Sequence, residues 1–78
     1  MDINLSIEFT YDQYLGMTPA EKEEIYHALY AFFNNEANQM DVPQRLVFEY
    51  VLAKTVKEEA YEFSSILRDF DNFFGEEF

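Results

Sequence analysis

The chain has no cysteine and no tryptophan, only two glycines, two prolines and one histidine. Each scarcity excludes something. Without cysteine there is no disulfide, no thiolate to hold zinc and no thiol nucleophile. With Gly16 and Gly75 alone, no glycine-rich loop exists to cradle a phosphate. His27 is the sole neutral base and no serine lies near it in sequence, so nothing recommends a nucleophile–base pair. Cations are scarce too: 5 Lys and Arg stand against 16 Asp and Glu, a formal net charge of −11. That balance repels phosphates and anionic headgroups alike, so neither nucleic acid nor a membrane surface is an expected partner. No stretch approaches the length of a membrane-spanning helix. Asp2 stands where a secretory leader would carry basic residues, and no long apolar run follows. A cytoplasmic protein is the expectation (host cytoplasm if phage-encoded), with no enzymatic activity and no cofactor.

What the chain does have is aromatic side chains: 9 Phe and 6 Tyr among 78 residues. A disordered acidic tail would be poor in such residues, so this chain is expected to fold. Each buried ring removes about 150–250 Å² from water. A domain this small has few interior positions, so some rings are expected at a surface, where an apolar patch marks an interface. Nothing suggests a linker, a repeat or a second unit, and residues 1–78 read as one domain.

Residues 3–9 alternate apolar and polar: Ile3, Leu5, Ile7 and Phe9 against Asn4, Ser6 and Glu8. Period two is the signature of a half-buried strand. No second strand signal follows, so pairing within a homodimer or with a partner's sheet is one expectation, and an arm laid across helices is the other. Thr10-x-x-Gln13 is a capping-box pattern that predicts one short helical turn over 11–15, with Gly16 closing it. Thr18-Pro19-Ala20-Glu21 is a stronger start signal. The helix it opens is expected to end at Asn34 or Asn35, leaving 34–40 as a polar connector. Ile25, Ala28, Leu29 and Phe32 form one apolar stripe; Tyr26, Tyr30 and Phe33 form a second beside it. Asp41 reads as the next N-cap, with Pro43 just inside the helix and Gln44 at the box position. Residues 43–54 are apolar almost all round, as in a central helix. Thr55-x-x-Glu58 predicts a break near Lys54–Thr55. The last helix then carries Ala60, Phe63, Leu67, Phe70 and Phe74 at heptad spacing, with Ile66 and Phe73 alongside, and stops at Gly75. The expected fold is mainly α: a small three-helix bundle (about 19–35, 42–54, 56–74) with a short N-terminal β-like segment (3–9).

Two surfaces are candidates for function. Glu58, Glu62, Asp69 and Glu76 fall on one side of the expected last helix, a carboxylate row about 27 Å long at about 1.5 Å per residue. DNA is itself a rod of closely spaced negative charge. Such a row suits a basic surface evolved for nucleic acid, and association would be salt-sensitive. The second is an aromatic face of Tyr26, Tyr30, Phe33 and Tyr61, suited to a partner or to a homodimer. The plainer readings are a solvated helix face and ordinary core.

In general character (short, acidic, cysteine-free, helical) the chain resembles phage-encoded inhibitors of host nucleases, some anti-restriction and anti-CRISPR proteins among them. The resemblance covers the whole chain, rests on no motif and transfers no residue. It implies a DNA-mimicking inhibitor of a nucleic-acid-handling protein. The alternative is a helical assembly or adaptor protein, such as a phage morphogenesis chaperone or an antitoxin-like module, binding through the aromatic face. Glu24-x-x-His27 matches one element of helical di-iron sites. With one histidine, a second element would need a symmetric dimer, so no metal site is expected. Asp69-Phe70-Asp71-Asn72 opens like a calcium loop, but Gly75 falls one position late for one.

Overall fold

A computed structural model describes residues 9–75. They form four helices in the order α1 (Tyr11–Leu15), α2 (Pro19–Met40), α3 (Gln44–Lys57) and α4 (Tyr61–Phe74). No strand occurs among the described residues. The mainly α small bundle is therefore as expected, while the β-like segment lies almost wholly outside the described residues. Phe9, its last member, sits in a bend before α1.

The two predicted capping boxes at the start of the chain are both formed. Thr10 Oγ1 accepts from the Gln13 amide at 3.1 Å, and Gln13 Oε1 accepts from the Thr10 amide at 2.9 Å. Thr18 and Glu21 repeat the arrangement at 3.2 and 3.0 Å, with Pro19 opening α2. Hydrogen bonds from the Thr18 backbone and then its side chain hold the Glu21 pKa below its ordinary value. Gly16 follows α1 with φ −85°, in right-handed space. The left-handed role expected of it is not used.

The later boundaries differ from expectation, and for one reason. α2 does not stop at Asn34–Asn35 but runs on to Met40. Ala37 lies in register with Tyr26, Leu29 and Phe33 and is buried with them, so packing of that stripe overrides the weak propensity of two asparagines. Ile25 and Tyr30 only flank the stripe, and Ala28 is exposed. Asp41 then ends α2 instead of capping α3. It adopts φ 55°, its amide bonds Asn38 O at 3.4 Å, and the Val42 amide bonds Ala37 O at 3.0 Å. This is the Schellman pattern, in which the left-handed position is usually glycine. Pro43 precedes α3 as its cap residue, and its side chain offers no acceptor to the first-turn amides.

The same device ends α3. Glu59 has φ 60°, its amide bonds Val56 O at 3.1 Å, and the Ala60 amide bonds Thr55 O at 2.8 Å. There is no break at Lys54–Thr55. Thr55 is buried inside α3, and its hydroxyl donates to Leu52 O at 2.7 Å instead of capping anything. α4 consequently begins at Tyr61, five residues after the expected Val56. Gly75, at φ 58°, ends it as the sequence indicates.

α2 packs against both α3 and α4, and α3 against α4. Each contributes one phenylalanine to the centre. The rings of Phe33 and Phe48 lie 5.7 Å apart, Phe33 and Phe70 5.6 Å, and Phe48 and Phe70 5.9 Å. All three are essentially inaccessible to solvent. Tilted and edge-on contacts at this spacing add to the area each ring buries. Val47, Val51, Ile66 and Leu67 pack with them, and Tyr14, Tyr26, Leu29 and Ala37 complete the core.

Candidate partner-binding surface

The four residues of the expected acidic row do not lie along one helix. Glu58 caps the C-terminus of α3, Glu62 and Asp69 are on α4, and Glu76 lies outside the described residues. Glu62 and Asp69, seven positions apart, do share a face of α4. That face is where α1 docks. Tyr11 Oη and Ser65 Oγ are 3.3 Å apart. Tyr14 Oη lies 2.6 Å from Tyr26 Oη and donates to Asp69 Oδ2 at 2.8 Å. Burial, then the bonds to Tyr26 and Asp69, push the Tyr14 pKa well above its ordinary value. Lys22 Nζ sits 5.0 Å from the centre of the Tyr14 ring, a cation–π arrangement. Asp69 therefore anchors α1 as well as facing solvent. The expectation of a row along one side of the last helix is corrected: α4 begins only at Tyr61, so Glu58 falls outside it, and α1 docks on part of the face that Glu62 and Asp69 share.

The expected aromatic face is likewise divided. Phe33 is fully buried and Tyr26 nearly so, so neither is presented to a partner in this structure. Tyr30 is half-buried against Phe74, with ring centres 5.0 Å apart. Only Tyr61 is freely exposed, at 61%, and it belongs to a different part of the surface. Other apolar side chains reach solvent where the pattern gave no stripe: Leu15 on α1, Leu46, Tyr50 and Val56 on α3, and Phe73 on α4. The all-round apolar character of α3 thus divides into a buried side and an outward side carrying Leu46 and Tyr50.

Tyr61 helps to form a cleft of about 550 Å³ between the chain entering α1 and the turn joining α3 to α4. Its walls are the rings of Phe9, Tyr11, Tyr61 and Phe63, and its polar groups include Glu59 and Glu62. No lysine or arginine lines it among the described residues. Among the described residues, neither Glu59 nor Glu62 takes part in an ion pair. The cleft as a whole is not legible in the sequence, because it depends on where α1 docks. Its one legible signal was Tyr11 and Tyr14, an i, i+3 aromatic pair on a capped turn too short to fold alone.

The other charged contacts are structural. Arg45 grips Asp71 of α4 through both terminal nitrogens, approaches Glu49 at 3.4 Å and lies 5.0 Å from the centre of the Phe48 ring. The hydrogen bond to Asp71 raises the arginine pKa further. His27 Nε2 lies 3.5 Å from Glu23, and its ring meets those of Phe73 and Phe74 edge-on. Among the described residues, no three His, Asp or Glu side chains are grouped to hold a metal ion. No helix among them is long and apolar enough to cross a membrane.

Fold and surface together define a small acidic helical bundle with an aromatic, carboxylate-bearing cleft. No protein-family model, curated protein or solved structure matches the chain.

Proposed function

We propose that the chain is a non-enzymatic protein that binds a basic surface of a nucleic-acid-handling protein, a nuclease or host-defence complex, and inhibits it by occupying the place of phosphates. The observation that carries this reading is the charge. Sixteen acidic residues face five basic ones, and two of those five, Arg45 and Lys22, are already engaged with Asp71 and the Tyr14 ring. The resulting negative field attracts a cationic partner from a distance and repels nucleic acid itself. The carboxylates supporting this reading are spread over several elements, with Glu58, Glu59 and Glu62 concentrated at the α3–α4 corner.

The test is capture of a partner on the immobilised chain, followed by elution with duplex DNA. Elution by DNA and by salt supports mimicry. A partner retained through both treatments contradicts it.

The adaptor reading keeps one specific observation in its favour: Leu46 is 48% and Tyr50 37% exposed on the outward side of α3. It predicts capture that survives high salt and is lost in Leu46→Ser.

A further inference from the structure

The cleft at the α3–α4 corner combines three features that are separate in the sequence. Its walls are aromatic, its charged groups among the described residues are carboxylates, and it is open to solvent. Tyr11 is held by its contact with Ser65 Oγ at 3.3 Å and by stacking of its ring on Tyr14, ring centres 6.0 Å apart. Tyr61, on the first turn of α4, lines the same cleft as Phe9 and Tyr11 and is largely exposed. Glu59 is placed at the turn by its left-handed backbone, and Glu62 by the first turn of α4.

A purely apolar ligand would strip water from two carboxylates without pairing them, which is unfavourable. An anion would be repelled. A cation with an apolar stem satisfies both walls and carboxylates. Guanidinium suits this best: it stacks on aromatic faces, is weakly hydrated, and offers a planar fork of donors to a carboxylate. The volume, about 550 Å³, is larger than one side chain needs and falls in the range of sites that bury a ligand of several groups.

We infer that this cleft is the point at which the chain recognises its protein partner, by taking an arginine side chain carried on an exposed polypeptide segment. This rests on the reading of a basic protein partner and specifies its chemistry. The guanidinium stacks on the exposed Tyr61 ring and pairs with Glu59 or Glu62, while the rest of the acidic surface supplies only long-range attraction.

The test is a ¹⁵N NMR titration of the full chain with the peptide acetyl-Ala-Arg-Ala-Arg-Ala-amide and its citrulline counterpart, which keeps the shape and removes the charge. The expected result is shifts confined to residues 9–11 and 59–66, with the citrulline peptide at least about tenfold weaker. In the combined variant Glu59→Gln, Glu62→Gln the arginine peptide weakens by a similar factor, and in Tyr61→Ala it weakens even at high salt. Equal binding of both peptides overturns the inference. So do shifts scattered over every acidic residue, or tetramethylammonium binding as tightly as the peptide, which would make the site one for small cations. NOEs from Ile3, Leu5 or Ile7 methyl groups to the Tyr61 ring, with no peptide shifts, also overturn it, since the chain's own N-terminal segment would then fill the cleft. A partner that is eluted by DNA yet binds the Glu59→Gln, Glu62→Gln variant as well as the parent chain would defeat this inference while leaving the proposed function standing.

Discussion

The Tyr14 hydroxyl donates to Oδ2 of Asp69 at 2.8 Å, tying a fully buried ring on α1 to a carboxylate at the surface of α4. α1 is only five residues long, too short to persist by itself. Its place depends on this bond, on the Tyr26 contact and on the Tyr11–Ser65 contact. Tyr14→Phe keeps the ring and removes the donor. The expected loss is about 1–2 kcal/mol, since the acceptor is charged and the Tyr26 hydroxyl loses a partner as well. Asp69→Asn, which retains an acceptor, is expected to cost less. Urea unfolding of the three proteins checks the order.

The same hydroxyl makes stability sensitive to alkali. Burial and its two hydrogen-bond partners raise the Tyr14 pKa above the ordinary 10.0 in the folded state. Below that pH both states are protonated and the contribution is whole. Above it the unfolded chain releases the proton while the folded chain retains it, so stability falls as pH rises. The advantage of the parent chain over Tyr14→Phe is expected to be constant from neutral pH to about 10 and to shrink above it. Unfolding curves for both proteins across that window provide the comparison.

Two turn positions hold residues opposite to what their backbone favours. Gly16 has φ −85°, and a Cβ there would meet only backbone oxygens at 3.7 Å, an ordinary contact. Glu59 has φ 60°. Gly16→Ala is expected to stabilise by about 0.4–1 kcal/mol by restricting the unfolded chain. Glu59→Gly is expected to stabilise by a similar amount, about 0.5–1 kcal/mol, by relieving the left-handed strain. Thermal melts of the two single variants test both signs, and a fall in melting temperature for either contradicts this account of the turns.

The aromatic residues divide sharply by consequence. Phe33→Ala opens a hole among Phe48 and Phe70 and is expected to cost about 3–5 kcal/mol. For a parent stability near the low end of the usual range, about 5 kcal/mol, that leaves about 2 kcal/mol or less. Tyr61→Ala is expected to change stability by less than about 0.5 kcal/mol. Near-equal losses in a denaturant titration would contradict a buried Phe33 and an exposed Tyr61.

How far the sequence reveals this arrangement depends on the signal used. Caps built from side chains are legible: Thr10 with Gln13, and Thr18 with Glu21, each occur where the spacing indicates. Stops built from backbone alone are not. α2 and α3 both end in Schellman turns whose left-handed residues are Asp41 and Glu59, neither a glycine, so the usual marker is missing. The sequence also offers false markers nearby, in Asn34–Asn35 and in Thr55-x-x-Glu58. Moving the start of α4 to Tyr61 takes Glu58 out of the acidic row. The docking of α1 on α4 then converts part of that row into a cleft, a tertiary event that no periodicity within α4 could reveal. The aromatic stripes were visible as stripes, but nothing in their spacing told Phe33, at the centre of three helices, from Tyr61 at the rim.

The central claim is that carboxylates, concentrated at the Glu58–Glu62 corner, drive binding of a cationic protein partner. It is tested most directly by the dissociation constant of the chain and its captured partner as sodium chloride rises from about 50 mM to about 500 mM, measured for the parent chain and for Glu59→Gln, Glu62→Gln. The account predicts a steep, linear loss of log affinity with log salt for the parent chain, and a shallower slope with weaker low-salt binding for the variant. A dissociation constant that is flat across the salt range, and the same in both proteins, would contradict it.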